Sequence, residues 1–183
     1  GNLKNDNKDF DIKKLDTLLE STLKNFEIKD TNFSSDTNFN LIINKKLKIK
    51  NIELDSKIIL NKLKYKTKIK KIKNYLPNFK EFIDLKDHEI LINYKKNKLE
   101  INGEGQIIIE NIEEKIKYKV KKKNNRYIFE TNLKIYEKLL IDVLQYKKNK
   151  SVESQIKFKG IYDKEKGIKF DSVSIEENDN IFL

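Results

Sequence analysis

Side chains that could carry out acid–base or nucleophilic chemistry are scarce in this sequence. His88 is the only histidine and cysteine is absent, which leaves few of the Ser-His-Asp or Cys-His arrangements used by hydrolytic enzymes. His88 stands between Asp87 and Glu89 at a predicted boundary between a loop and a strand, and we expect it to be exposed. The sequence therefore predicts a protein that is not an enzyme.

The carboxylates do not follow a metal-binding pattern either. Glu113 and Glu114, like Glu176 and Glu177, fall in predicted turns, where solvated charge is the ordinary role of such pairs. A calcium loop needs oxygen ligands at alternate positions around a central glycine. Residues 163–167 form a segment that is too short for this, and its lysines would oppose a cation. We therefore expect no metal and no other cofactor.

Glycines and lysines give no firm signal for phosphate or nucleic acid. Gly103 and Gly105 lack the third glycine of a dinucleotide site and favour a strand bulge or bend. Lysines in residues 66–73 and 117–123 alternate with Ile, Tyr or Val, as on the solvated face of a sheet. Arg126 is the only arginine, and lysine does not replace arginine in bidentate recognition of phosphate or guanine. A lysine-rich nucleic-acid binder is retained only as a further alternative.

Composition favours an extended sheet over a compact globule. Hydrophobic residues make up 37% of the 183 residues and charged residues 38%, which leaves little apolar material for a compact interior. A thin sheet with one solvated face needs less. The net charge of +11 occurs in a chain rich in Lys, Asn and Ile, as an AT-rich coding sequence would produce. Such a charge would also attract anionic surfaces, including membrane headgroups.

The first 34 residues are predicted to form an amphipathic helix followed by a linker. Five apolar residues recur at helical spacing and would form one packing face: Leu15, Leu18, Leu19, Leu23 and Phe26. Residues 32–40 are rich in Ser, Asn and Asp, which is typical of a polar linker.

From residue 35 to the end, the pattern predicts an antiparallel β-meander. Apolar and polar residues alternate from Phe39 onward, and short polar turns separate the runs. Pro77 interrupts this pattern, and a short helical turn is expected over residues 79–85. A change of register is expected just before Val173 and Ile175, which carry the apolar character onward.

One segment within the meander returns to helical spacing and predicts an inserted helix over residues 136–146. Its apolar residues are Tyr136, Leu139, Leu140, Val143 and Leu144. The predicted fold class is thus mainly β with minor α: an antiparallel meander that forms a curved sheet or groove, with an N-terminal helix and one inserted helix.

The apolar face of this sheet is the remaining candidate for a functional surface. If the predicted helices cover it, the face is an ordinary core; if part of it stays open, it forms a trough that could hold acyl chains. Ten residues are candidates to line that trough: Ile107, Ile109, Ile116, Tyr118, Val120, Phe129, Ile156, Phe158, Ile168 and Phe170.

Several strand runs resemble AsmA-like proteins, and most closely their large YhdP-type members. The similar segments are residues 101–109, Ile-Asn-Gly-Glu-Gly-Gln-Ile-Ile-Ile, residues 116–120, residues 127–133 and the hairpin of residues 159–170. The resemblance covers roughly residue 41 to the end. It implies a periplasmic β-meander curled into a groove that carries phospholipid between the inner and outer membranes of Gram-negative bacteria. The implied partners are phospholipid acyl chains, neighbouring β-segments of the same chain and an anionic membrane surface.

The chain lacks methionine and ends within the apolar run of residues 181–183, so we expect a piece of a longer protein. The resemblance implies that a segment absent from this chain tethers it to the inner membrane. The main alternative is a structural or interaction module whose sheet is closed by its own helices.

Overall fold

The structure, a computed structural model, consists almost entirely of β-strands. It describes residues 1–6, 27–46, 49–66, 82–96, 98–109, 111–123, 126–141, 145–163, 165–177 and 180–182. The strands are β1 (Asn2–Asn5), β2 (Glu27–Ile43), β3 (Ile49–Lys66), β4 (Phe82–Lys95), β5 (Lys98–Ile109), β6 (Ile112–Lys123), β7 (Arg126–Ile135), β8 (Leu139–Ile141), β9 (Tyr146–Lys148), β10 (Ser154–Asp163), β11 (Gly167–Glu177) and β12 (Asn180–Phe182). The prediction of a mainly β chain is confirmed.

Ten of these strands form one antiparallel sheet in the order β1-β2-β3-β4-β5-β6-β7-β10-β11-β12. Strands that neighbour each other in this sheet are also consecutive in the chain, with one exception: β7 pairs with β10. Between those two strands, β8 and β9 leave the sheet and pair with each other as a separate hairpin. The described strands of the sheet therefore form a meander, from which β8 and β9 depart between β7 and β10.

Period-two alternation explains why these segments form strands. In β6, the side chains of Ile116, Tyr118 and Val120 are half-buried, whereas Lys117 and Lys119 between them are exposed. Successive side chains of a strand point to opposite faces, so this spacing gives one apolar face and one charged face.

Two adjacent bulges keep the apolar residues on one face despite a break in the alternation. Leu60 pairs with His88, but the next apolar pair along β3 and β4 is Leu63 with Leu85. Relative to β2, β3 carries one extra residue here, and relative to β5, so does β4; these extra residues change the parity, and Asp87 takes a φ of 50° at that point. A similar irregularity shifts the register between β10 and β11. Lys159 of β10 pairs with Ser172, but the next residue, Gly160, pairs with Phe170. The predicted change of register before Val173 is thus confirmed.

The buried core lies at one end of the sheet. Its members come from seven strands and are Ile83, Ile109, Ile135, Leu139, Tyr146, Ile156 and Ile175. Leu139 and Tyr146 belong to the β8–β9 hairpin, so this hairpin covers the ends of β7 and β10 where they meet it.

Two predictions for the N-terminal part have different outcomes. The helix expected before Phe26 lies outside the described residues, which resume at residue 27. The linker expected over residues 32–40 is wrong, because these residues belong to β2. Their polar character misled because β2 alternates Asn, Ser and Asp with Phe33, Thr37 and Phe39, and pairs along its whole length with β3. The predicted domain boundary after residue 34 lies within this strand.

The predicted inserted helix is also wrong where it is described. Residues 139–141 and 146–148 are strands, and residues 142–144 lie outside the described residues. The spacing of Tyr136, Leu139 and Leu140 fits a helix, but the hairpin satisfies the same residues by placing Leu139 and Tyr146 against the sheet. Gln145, which directly precedes β9, has a φ of 50°.

The short helical turn expected over residues 79–85 is wrong for its last four residues, which open β4; residues 79–81 are not described. No helix occurs in the described part of the chain, and hence none there that could cross a membrane.

Candidate functional site: the apolar face

Strand register places all ten candidate residues on the same face of the sheet, which we call the apolar face. Across the strands, Ile116 pairs with Leu133, Leu133 with Ile156, and Ile156 with Ile175. Because paired residues of antiparallel strands point to the same side, this row shares one face. The candidates joined by such pairs are Ile107, Ile109, Ile116, Tyr118, Val120, Phe129, Ile156, Phe158, Ile168 and Phe170.

The opposite, charged face carries cross-strand ion pairs. The Nζ atom of Lys117 lies 2.6 Å from a carboxylate oxygen of Glu104, and that of Lys159 lies 3.1 Å from Glu130. These side chains are exposed, so each pair adds little to stability. Alternate lysines of β6, namely Lys117, Lys119, Lys121 and Lys123, lie on this solvated face, as expected, whereas Lys122 has the parity of Val120 and lies on the apolar face. Beyond Lys66, the other lysine stretch lies outside the described residues.

At one end, the apolar face is covered by the β8–β9 hairpin; this is the covered end. Ile175 and Ile135 are 0% and 1% exposed there, beneath Leu139 and Tyr146. Of the ten candidates, Ile109 and Ile156 are buried in this core, and Ile107 and Phe158 pack against its margin. These residues form an ordinary interior.

A buried carboxylate fastens the hairpin to the sheet. Glu114, 0% exposed, accepts hydrogen bonds through Oε1 from the backbone N–H groups of Tyr136, at 2.6 Å, and Glu137, at 3.2 Å. Burial raises the pKa of Glu114, while these two backbone donors lower it. The sequence predicts that Glu113 and Glu114 are both solvated. This is confirmed for Glu113, which is exposed and pairs with Lys86, and wrong for Glu114.

Lys148 and Tyr146 fasten the second strand of the hairpin. The Nζ atom of Lys148, fully buried, donates to the backbone oxygens of Glu137, at 2.9 Å, and Asn149, at 3.0 Å. Burial lowers the pKa of this lysine. The Tyr146 hydroxyl donates to Glu177. Burial, and to a smaller extent this hydrogen bond, raises the pKa of Tyr146 to about 12. The hairpin is thus held by polar groups as well as by packing.

The other end of the apolar face, the open end, has large exposed side chains. Ile168 is 59% exposed and Phe170 is 55% exposed. Phe170 makes edge-to-face contacts with Phe129 and Phe158, with ring centroids 5.9 Å and 6.1 Å apart. The three rings form a cluster whose inner side is packed and whose outer side, on Phe170, meets solvent.

Gly160 makes room for this cluster. A side chain at that position would collide with the ring of Phe129 and with the backbone oxygen of Lys169. The aromatic ring instead lies across the glycine and covers the exposed backbone, a device that compensates for glycine in a sheet.

His88 lies in the middle of the apolar face and is 1% exposed, so its predicted exposure is wrong. Its Nε2 atom lies 2.8 Å from the backbone oxygen of Gln106, and Nδ1 lies 3.4 Å from the hydroxyl of Tyr118. Gly105 makes this possible, because a Cβ atom there would overlap the imidazole. Burial lowers the pKa of His88. The signal available in the sequence was the alternating run of His88, Ile90 and Ile92, which places His88 on the apolar side, together with Gly105 on the next strand.

The ten candidates therefore divide between two environments. Residues toward the covered end are core, whereas Val120, Phe129, Ile168 and Phe170 lie toward the open end. Sequence reasoning missed Ile135 and the polar groups that hold the hairpin, because the spacing of apolar residues over residues 136–146 predicts a helix there. No cluster of three or more potential metal ligands occurs among the residues that the structure describes.

No family model matches the chain, and neither a curated protein nor a solved structure matches it. The resemblance to AsmA-like proteins is therefore carried by the strand pattern alone.

Proposed function

We propose that the open end of the apolar face binds lipid acyl chains, as one segment of an AsmA-like protein that carries phospholipid between the inner and outer membranes in the periplasm. The observation that carries this proposal is the exposure of Ile168 and Phe170 on a face whose other end is fully buried. Contiguous exposed apolar surface of this kind marks a binding surface more often than an ordinary exterior.

The size of the surface suits an acyl chain. Apolar pairs continue from Ile101 through Val120 and Phe129 to Phe170, across β5, β6, β7, β10 and β11. Neighbouring strands lie about 4.8 Å apart, so this row spans roughly 19 Å. Each methylene group buried against it contributes about 0.8 kcal/mol. Binding of this type needs no polar recognition, in agreement with a face of Ile, Val and Phe.

Curvature of the sheet into a groove, attachment to the inner membrane through another segment, and neighbouring β-segments that extend the row are parts of the same proposal. They follow from the resemblance to AsmA-like proteins, and the meander topology supports them. A long antiparallel sheet of successive strands is the architecture that such a conduit requires.

A closed structural module is the second candidate, and the covered end favours it. There, Leu139 and Tyr146 complete a core in which Ile175 is wholly buried. If the entire face served as such a core, Ile168 and Phe170 would need a partner surface of their own. The nucleic-acid alternative has less support, because several lysines of the charged face are paired with carboxylates, including Lys119 with Glu100.

Binding of a fluorescent fatty acid to the purified chain tests the proposal. The substitution Phe170→Asp places a charge on the open end, and we expect it to weaken binding about tenfold or more, the loss that follows from one large apolar contact. Leu91→Asp is the matched control, since Leu91 is 46% exposed on the charged face. Equal binding by both variants and the unchanged chain would contradict the proposal, as would an absence of binding.

A further inference from the structure

Turns at the open end of the sheet concentrate lysines. In an antiparallel meander successive turns alternate between the two ends, so the turns that follow β2, β4, β6 and β10 share the open end. We call these turns and the adjoining strand ends the rim. Its described lysines are Lys45, Lys46, Lys95, Lys96, Lys98, Lys121, Lys122, Lys123 and Lys166.

Part of the rim is concave. Between the β4–β5 turn and the end of β6 lies a depression of about 960 Å³, lined by six lysines, one carboxylate and a few neutral residues. Glu100 is the carboxylate, and Lys121 pairs with it at 3.4 Å. Lys96, Lys98 and Lys123 are exposed and form no ion pair with a described carboxylate. The depression is thus a cationic surface with free charge.

Exposed apolar side chains occur at the same rim. Ile42 and Ile43 are half exposed at the end of β2, and Ile128 is exposed beside Lys121 in the depression. Ile168 stands just after the β10–β11 turn. The rings of Tyr127 and Tyr162 lie 6.2 Å apart at this level. Cationic, aliphatic and tyrosine side chains together are the composition that proteins use at the interface between lipid headgroups and acyl chains.

At the covered end several lysines are paired: Lys86 with Glu113, Lys134 with Glu153, and Lys157 with Glu176, all within 2.8 Å. Other lysines there are exposed, so exposed lysine alone does not distinguish the two ends. The rim differs because its lysines lie next to exposed isoleucines, which do not occur at the covered end among the described residues. This combination of side chains indicates a surface with its own partner.

We propose that the rim docks on an anionic phospholipid bilayer. The lysines attract the headgroups, and the isoleucines and tyrosines enter the boundary of the acyl region. Nucleic acid fits less well, because the isoleucines exposed at the rim offer bases nothing to stack on and the only arginine, Arg126, pairs with Asp163, so that the two tyrosines alone would serve it. Docking would give lipid a place to enter or leave the apolar face, and in that sense it rests on the proposed function.

Flotation with vesicles tests docking. Purified chain is mixed with vesicles of phosphatidylcholine alone or with about a third phosphatidylglycerol, and bound protein is measured over a range of salt concentrations. We expect binding to the anionic vesicles only, weakening as salt rises. Each lysine near such a surface contributes about fivefold to affinity, so K96Q/K98Q/K123Q should lose on the order of a hundredfold.

The matched control removes the same charge from the other end through K115Q/K138Q/K147Q, three exposed lysines, and should bind nearly as the unchanged chain does. Equal losses in both variants would overturn the proposal by showing a response to net charge alone. Equal binding to neutral vesicles, or tighter binding to single-stranded RNA than to anionic vesicles, would overturn it too. Fatty-acid binding measured on the rim variant separates the two proposals: it should persist, since the rim lysines lie outside the Phe170 cluster.

Discussion

The two ends of the apolar face are made from the same strands and the same residue types, yet they have opposite exposure. On β11 alone, Ile175 is 0% exposed and Ile168 is 59% exposed, although both point to the same side of the sheet. The difference arises from the β8–β9 hairpin, which folds over the first and not over the second. Exposure along this face is therefore decided by an excursion of the chain, and alternation within the strands does not reveal it.

The comparison also shows how each end is stabilised. The covered end combines apolar packing with buried polar groups, among them Glu114 and Lys148, whose hydrogen bonds reach the backbone of the hairpin and its flanks. The open end depends on strand pairing and on the Phe129–Phe158–Phe170 cluster. Structural stability is thus concentrated at one end, and surface available for binding at the other.

The largest contrast is expected from truncating one isoleucine at each end. Ile175→Ala should lower the free energy of unfolding by about 3 kcal/mol, because it leaves a cavity in a packed interior. Ile168→Ala should change it by no more than about 0.5 kcal/mol, as for other exposed positions. Urea denaturation followed by circular dichroism measures both. Similar losses for the two variants would show that the ends are equally packed.

A loss of about 2–3 kcal/mol is expected for Glu114→Ala, since it leaves the N–H groups of Tyr136 and Glu137 without their buried acceptor. Glu114→Gln keeps a carbonyl oxygen and should lose less. Because the pKa of Glu114 is raised in the folded state, the ionised side chain costs stability as pH rises above its ordinary value. The advantage of Gln over Ala should therefore persist at neutral pH, and its absence would contradict the role given to Glu114.

Between the two ends, Gly105→Ala should cost about 1–3 kcal/mol, because the added Cβ would lie 2.7 Å from the backbone Cα of His88. Gly167→Ala in the β10–β11 turn is the comparison. It meets no atom but has a φ of +79°, so about 1 kcal/mol is expected from backbone strain alone. Thermal unfolding of the two variants checks the order, and a reversed order would contradict the packing of His88 over Gly105.

The smallest effect concerns pH and His88. Burial lowers the pKa of His88 below its ordinary value of about 6.5, so the unfolded chain binds a proton at a higher pH than the folded chain does. Stability is then complete above about pH 6.5 and declines as pH falls through that value toward the folded pKa. Urea midpoints between pH 7.5 and pH 5.5 should fall for the native chain, and the fall should be smaller for His88→Gln. An identical slope in the variant would assign the effect to other groups.

Much of this fold could be predicted from local pattern. Alternation in β4 to β7 and in β10 and β11 gave the strands, their common face and the shift before Val173. What failed depended on distant parts of the chain. β2 is a strand because β3 pairs with it despite its Asn, Ser and Asp residues. Leu139 and Tyr146 form a hairpin because the sheet beneath accepts them, and His88 is buried because Gly105 and Tyr118 lie across from it.

The candidate surface was only half predictable for the same reason. Period-two spacing selects the residues of a face, since side chains alternate along every strand. It contains no information on what covers them. Ile156 and Phe170 looked equivalent in the sequence, and the hairpin between β7 and β10 separates them into core and surface.

Site-specific photocrosslinking tests the central claim most directly. A photoreactive amino acid replaces Phe170 at the open end, Ile156 at the covered end or Leu91 on the charged face, and the chain is irradiated with phospholipid vesicles. Lipid adducts are then identified by mass spectrometry. Acyl-chain binding at the open end predicts adducts from position 170 and none from position 91, with those from position 156 absent or rare because that side chain is buried. Adducts of equal yield from positions 170 and 91, or no adducts from position 170 in a folded chain, would contradict it.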